Sequence, residues 1–457
     1  MRIPHVLSAI IFSTLIALLI FIPIPYGSVE PWSEAVFECV AFALAFLWCV
    51  HAMLSGSWFT EDLRVFLPVI GLMVLAILQS LSFSHESVAG VSVMNSISAD
   101  PFESWVFALR LSALVLVGLL ATNFIRGSLR LTIFVNAILV SATIAAVFGV
   151  VRLTMQHHDG FLLSSLPSGG GFAQFINKNH FAFFIEPAMG LLVMMTLLDR
   201  RAGHRRLLYL SGMILLWATL IMSRSRGGLI AVSVQMIIAA VFFIYTHHWF
   251  ANRNGRGRRI RTVTVVLVAI IATAVVVVLA TVWLGGDQLS TGFETATVEM
   301  TSKSDDNHVG ARRRDIWRAT LQMWRAHPIV GAGLGGYWAE IPAYHDASGM
   351  LSPQQAHDDY LELSASAGIV GVGLFVWFVV ALLQTARKAL DSFTGIQRVF
   401  AIGAIVGILG VCVHSLIDFG LHITANALVF VMLLALLSLK PINQRPRAQE
   451  HRNAAFS

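Results

Sequence analysis

Apolar runs of about 17 to 25 residues, separated by short polar segments, recur along almost the whole chain, and they leave few folds open. A run of that length crosses the hydrocarbon core of a bilayer as a helix and is too long and unbroken for a barrel strand. Inside lipid every backbone N–H and C=O needs a partner within the chain, which a helix supplies. Twelve spans are expected, near residues 6–24, 32–54, 65–84, 104–125, 130–154, 179–198, 207–222, 227–246, 262–284, 361–386, 399–415 and 421–439. Composition agrees: 56% of the 457 residues are hydrophobic and 12% charged, against roughly 25% charged in soluble domains. The expected fold class is therefore an all-α polytopic membrane protein. The first run ends at Ile24-Pro25-Tyr26-Gly27 with no small-residue cleavage site, so it is read as a membrane helix rather than a signal peptide.

The net charge of +6 reflects topology rather than nucleic-acid binding. Most lysines and arginines cluster in the segments that share a side with the N-terminus, and the short loops 199–206 and 252–261 are dense in arginine. The positive-inside rule places these, and both termini, in the cytoplasm. Four regions follow: spans one to nine in 1–284, a long outer loop in 285–360, spans ten to twelve in 361–440, and a basic, disordered tail in 441–457. In a cell with two membranes the loop is periplasmic. Cys39, Cys49 and Cys412 lie within apolar runs without metal-ligand spacing and read as small buried residues.

Polar chemistry concentrates in and around the outer loop. Residues 311–326 have helical spacing, with Arg313, Trp317, Leu321 and Trp324 on one face and Arg314, Arg318 and Arg325 on an adjoining one. Such a helix is expected on the membrane surface or over the bundle, its tryptophans suited to the interface. Gly331-Ala332-Gly333-Leu334-Gly335-Gly336 follows as a turn, not a nucleotide loop, since no Lys-Ser or Lys-Thr comes after it in a strand-to-helix context.

Four groups fall at the outer end. His357 stands where a helix re-enters the membrane and has the side chain best suited to proton transfer near neutral pH; a solvated or capping histidine is the plainer alternative. Asp358 and Asp359 after it are favoured in a first helical turn. Ser223-Arg224-Ser225-Arg226-Gly227-Gly228 sits between two spans with almost no loop, and its arginines break the positive-inside pattern. A guanidinium fork there suits phosphate oxygens, with anchoring to lipid headgroups the competing reading. Asn177-Lys178-Asn179-His180 precedes Glu186-Pro187, and a carboxylate at that depth requires a partner, for which Arg110 and Arg152 enter from the same face. Whether Glu186 belongs to a structural pair or to a site stays open. His414-Ser415-Leu416-Ile417-Asp418 ends the penultimate span, where a structural role stands beside a catalytic one.

Taken in order, Asn177-Lys178-Asn179-His180-Phe181-Ala182, Ser223 to Leu229, Arg313 through Trp317 to Pro328 with the glycine turn, and His357 to Leu361 followed by Gly368-Ile369-Val370-Gly371 resemble the O-antigen ligase and O-antigen polymerase superfamily of bacterial membrane glycosyltransferases. The likeness covers roughly residues 170 to 375. It implies glycan transfer on the outer face of the inner membrane, from an undecaprenyl-diphosphate-linked donor to an acceptor hydroxyl, without a nucleotide sugar, metal or other cofactor. It implies His357 as the acceptor-side catalytic residue and Arg226 and Arg313 as diphosphate binders, with Arg224 and Arg314 beside them. Asp359, Lys178, His180 and Glu186 are supporting candidates. The family's usual asparagine after the histidine is Asp358 here, which leaves the polar partner of His357 open.

A ligase acting on lipid A core is the expected activity. A polymerase of O-antigen or exopolysaccharide and a protein O-oligosaccharyltransferase share the donor and remain alternatives. A carrier of lipid-linked sugar would instead place charges near mid-membrane and repeat its helices; neither pattern is visible in the sequence.

The topology is testable by labelling. Cysteines introduced at Ser302 and Ser348 are expected to react with a membrane-impermeant thiol reagent from the outer side, and one at Gly203 is not. Reversed labelling overturns the orientation.

Overall fold

A computed structural model describes residues 2–58, 62–88, 91–155, 171–251, 313–345 and 353–442. Among them, nine helices are long and apolar enough to cross a membrane: α1 (Arg2–Phe21), α2 (Pro31–Ser55), α4 (Pro101–Phe124), α5 (Gly127–Met155), α6 (Lys178–Leu198), α7 (Arg205–Ser223), α8 (Arg226–Ala251), α11 (Asp359–Ser392) and α12 (Gly395–His414). Two shorter apolar helices, α3 (Leu67–Ser80) and α13 (Thr424–Leu437), pack among them. Eleven of the twelve expected spans thus have a helix. The span near 262–284, the tail 443–457, Ser302 and Ser348 lie outside the described residues. The protein is an all-α, multi-pass membrane protein with one feature the apolar pattern did not announce. Ser82–Val88 and Val91–Ser96 pair as an antiparallel hairpin between α3 and α4. A short two-stranded excursion gives no hydropathy signal.

Helix α6 is the centre of the bundle. His180 through Met195 are buried without a break, as a helix apolar on every side should be. It packs against α12, α7, α8, α5 and α13. Contact with α12 is backbone to backbone. A Cβ on Gly190 would lie 2.5 Å from Gly407 N and 2.8 Å from Gly403 O, so these small residues let the two helices close on each other.

The segment after the undescribed stretch folds onto the same end of the bundle. Helix α9 (Arg313–Ala326) buries Ile316, Ala319, Thr320 and Met323 and packs on α11. That face is displaced from the expected one: Leu321 is exposed and Trp317 half-buried. Indole groups sit at the edge, where Trp317 Nε1 donates to Ala356 O at 3.0 Å, because the small residues Ala319 and Thr320 allow closer approach to α11. A one-turn helix, α10 (Tyr337–Glu340), follows the glycine turn, and Tyr337 shares a buried 2.7 Å hydrogen bond with Thr320.

The glycine turn itself docks into a break in α11. At Gly368 the backbone leaves the helix (φ 60°, ψ −157°), a conformation open to glycine. The freed groups bond sideways: Ile369 N–H donates to Pro328 O (2.9 Å), Ala332 N–H to Ala365 O (3.0 Å) and Gly333 N–H to Ser366 O (3.0 Å). Buried Gln79 of α3 completes the joint, its amide donating to Val330 O and Ser366 O and accepting from Leu334 N–H.

Gly368→Ala is expected to lower the thermal unfolding midpoint of the purified protein, because a Cβ there meets Ile329 C at 2.4 Å and the φ is left-handed. Gly373→Ala, five residues on in open space, should be neutral or slightly stabilising, by at most about 1 kcal/mol. Equal midpoints for the two variants would mean that the break does not hold the turn.

Candidate active site

Four elements meet at one end of the bundle: the N-termini of α6, α9 and α11, and the turn that joins α12 to α13. Asp358 is the N-cap of α11, its carboxylate accepting from Tyr360 N–H and Leu361 N–H at 3.0 Å each. Burial pushes this carboxyl up, opposed by the two N–H groups. The capping role settles what Asp358 does: it faces its own helix and leaves His357 to another partner. His357, just before it, adopts φ 54°. A non-glycine residue held in that region is uncommon and is often found at functional sites.

The partner of His357 is Asp418, which lies in the turn after α12. His357 Nδ1 stands 3.3 Å from Asp418 Oδ1, and the Asp418 side chain is 1% exposed. Burial alone would raise this carboxyl. The hydrogen bonds from His357 and from Phe419 N–H, with the charges of His357 and His180, outweigh it and hold the group at about 2. An ionised carboxylate only accepts, so Nδ1 carries the proton of that contact, and in a neutral ring Nε2 holds the free lone pair.

Asp418 also gathers the other segments. Its Oδ2 accepts a short hydrogen bond from Asn179 Nδ2, and Arg313 Nη2 lies 3.9 Å from the same oxygen. Asn179 Oδ1 in turn accepts from Ser225 Oγ (2.8 Å), whose oxygen takes Gly228 N–H (3.2 Å). Through Asn179 the carboxylate is therefore tied to the tight turn between α7 and α8. Arg224 caps α7 in the left-handed conformation (φ 55°), and Arg226 opens α8. Both are exposed, as is Lys178, and the three lie close enough for their charges to act on one another. Arg314 is exposed one residue beyond Arg313.

The remaining candidates fall into two places. Glu186 does not pair with Arg110 or Arg152, as the sequence led us to expect. It meets His414 Nδ1 at 2.6 Å, both side chains fully buried, and Phe183 stacks on the imidazole at 3.9 Å. Arg110 is held by Glu34 at 3.0 Å, and Arg152 donates to Ala173 O at 2.6 Å. The reason is the closeness of α6 and α12, which brings an imidazole to Glu186 from a helix remote in sequence. The pair lies against Gly227, under the arginine turn. Asp359 points away from His357, toward His422 Nε2 (3.6 Å), which also lies 3.4 Å from Glu362. His180 reaches the site through Phe419, whose ring meets the edges of both His180 and His357 at centroid distances of 5.0 and 4.9 Å.

Asp418 and Asn179 thus join the candidates named from sequence. Asp418 was visible only as a member of a polar stretch at a span end, and nothing in the sequence linked it to His357, 61 positions earlier. Among the described residues, no group of three or more His, Cys, Asp or Glu is arranged to hold a metal ion.

No curated protein matches the chain. Residues 211–376, which run from α7 through the arginine turn, α9, the glycine turn and His357 into α11, match the family model described as O-antigen ligase. The stretch so matched holds the arginines and the histidine that Asp418 draws together, and over it the chain is similar to the O-antigen ligase family.

Proposed function

We propose that the protein is an O-antigen ligase, which transfers a glycan from an undecaprenyl-diphosphate-linked donor to a hydroxyl of lipid A core at the periplasmic face of the inner membrane. The observation that carries this reading is the contact of one buried carboxylate, Asp418, with His357 and Arg313, and through Asn179 with the turn that holds Arg224 and Arg226.

The chemistry divides between the two sides of that carboxylate. A hydroxyl is a weak nucleophile, and His357 Nε2 takes its proton as the oxygen attacks the anomeric carbon of the donor. Asp418 keeps Nδ1–H pointed at itself and stabilises the imidazolium that forms, the part a carboxylate plays beside any histidine base. The bond from the anomeric carbon to the diphosphate oxygen breaks, and the electron pair leaves with the diphosphate. Arg226 and Arg313, with Arg224, Arg314 and Lys178 nearby, are the positive groups available to the charge that develops on that leaving group. None of the exposed trio Arg224, Arg226 and Lys178 is held in a salt bridge among the described residues.

The assay is transfer by the purified protein from a lipid-linked glycan donor to lipid A core. His357→Ala is expected to leave donor binding intact and cut transfer by at least about a hundredfold, within the usual reach of general base catalysis. Asp418→Asn should cost transfer nearly as much, since the amide cannot stabilise the imidazolium. Asp358→Asn should leave it unchanged, because an asparagine oxygen caps the helix equally well. Wild-type turnover in the His357 variant would overturn the assignment. Product with a second lipid-linked repeat unit or a protein serine, and none with lipid A core, would replace the ligase with a polymerase or a protein O-oligosaccharyltransferase. If vesicles moved lipid-linked sugar while no acceptor gave product, a carrier would take its place.

A second variant separates geometry from charge. Arg226→Ala should abolish transfer in a protein that still inserts, and Arg226→Lys should restore little of it, because a point charge cannot make the two parallel contacts of a guanidinium. Full activity in the lysine variant would show that any positive charge serves there.

A further inference from the structure

At the end of the bundle opposite His357, a cavity of about 760 Å³ lies among the ends of α1, α2, α4 and α5. Arg126, Arg130, His5 and His51 line it, and among the described residues no aspartate or glutamate does. Both arginines are held by neutral oxygens. Arg126 Nε donates to Asn123 O at 2.8 Å, and Arg130 Nη1 donates to Phe124 O and Ser8 Oγ at 2.9 Å each. The two carbonyls belong to the last turn of α4, whose partial negative charge offsets about half an elementary charge. Among the described residues the two full positive charges remain largely uncompensated, the Arg130 guanidinium resting over the Phe12 ring at 5.0 Å.

The rest of the lining sets apolar side chains beside the neutral polar Ser8, Ser55, Ser57 and Asn123. Ile3 and Leu54 line the cavity and are 64% and 54% exposed, as lipid-facing side chains are. A second cavity at this end, between α6, α7 and α12, is also rich in arginine but contains Asp199, which already supplies a negative charge. Among the described residues the first cavity has none. Cations at its wall and exposed hydrocarbon beside them fit a ligand with an anionic head and an acyl tail, and basic pockets between helix ends at headgroup level take such lipids. The guanidinium fork matches phosphate oxygens.

We propose that this cavity binds an anionic glycerophospholipid, its phosphate held by Arg126 and Arg130 and its acyl chains lying along α1 and α2. The site is remote from His357 and does not depend on the reaction assigned there.

Native mass spectrometry of the full chain, released from detergent after titration with phosphatidylglycerol, phosphatidylcholine of the same acyl chains, or inorganic phosphate, tests it. Phosphatidylglycerol should be retained and phosphatidylcholine should not. Each arginine removed should weaken retention about fivefold, the effect of roughly one basic residue near an anionic headgroup. Arg130→Gln removes the contacts to Ser8 and Phe12 and can unsettle α1, so two milder variants decide the matter. Arg126→Gln, in the connector between α4 and α5, loses one hydrogen bond to the last turn of α4, and Ser57→Glu places a carboxylate at the exposed edge of the cavity. Weaker phosphatidylglycerol binding in both supports the site. Unchanged binding in both overturns it, and retention of inorganic phosphate as strong as that of the lipid overturns the lipid as its occupant.

Discussion

One buried carboxylate organises the functional end of this protein. Asp418 accepts from Asn179 and His357 and approaches Arg313, three residues from segments widely separated in the chain. An ionised carboxylate removed from water is costly unless paired and hydrogen-bonded. Here each oxygen has a donor, and Phe419 N–H adds one more at 2.9 Å. Because the carboxyl is held at about 2, below the usual aspartate value near 3.9, its contribution to folding is present above about pH 4 and is lost as the pH falls through about 2. Across the neutral range its charge is constant.

The carboxylate can play this part because the helix ends that present its partners are fixed from below. Gly190, Gly403 and Gly407 bring α6 and α12 into backbone contact, and the Glu186–His414 pair bridges the same two helices nearer the site, just under the arginine turn. Asn179 sits at the top of α6, and Asp418 four residues beyond the end of α12, its N–H bonded back to His414 O at 3.1 Å. A shift between these helices would therefore move both residues at once. On the other side, the glycine turn is locked into the break of α11 and clamped by Gln79, which sets α9, and with it Arg313, against the helix that begins just after His357.

Charge is distributed unequally between the interior and the surface of this end. The carboxylates of Asp418, Glu186 and Glu362 are buried, whereas Lys178, Arg224, Arg226, Arg313 and Arg314 are exposed. The acidic side chains are consumed in holding the structure together, and the cationic ones face outward, available to an anion. His357 stands at the boundary, 32% exposed, one ring nitrogen turned to the interior carboxylate.

Much of this was legible in the sequence, for physical reasons that can be stated residue by residue. Apolar length alone determined the helices, because a backbone in lipid has no other way to satisfy its hydrogen bonds. The glycine turn and the cap at Asp358 were equally local, written in residue types that their immediate backbone requires. Partnership was another matter. Glu186 needs a partner at its depth, but that partner is His414 across the α6–α12 interface and not Arg110 or Arg152, which only enter from the same face. The buried face of α9 was misplaced by about one position, because small residues rather than tryptophans set the distance to α11. The hairpin at 82–96 left no hydropathy trace. Above all, Asp418 looked like one more polar residue at a span end: only the packing of α12 against α6, and of the loop segment over both, decided that a single carboxylate would meet His357, Asn179 and Arg313, since pairing across the chain depends on which surfaces close on each other and no local pattern encodes that.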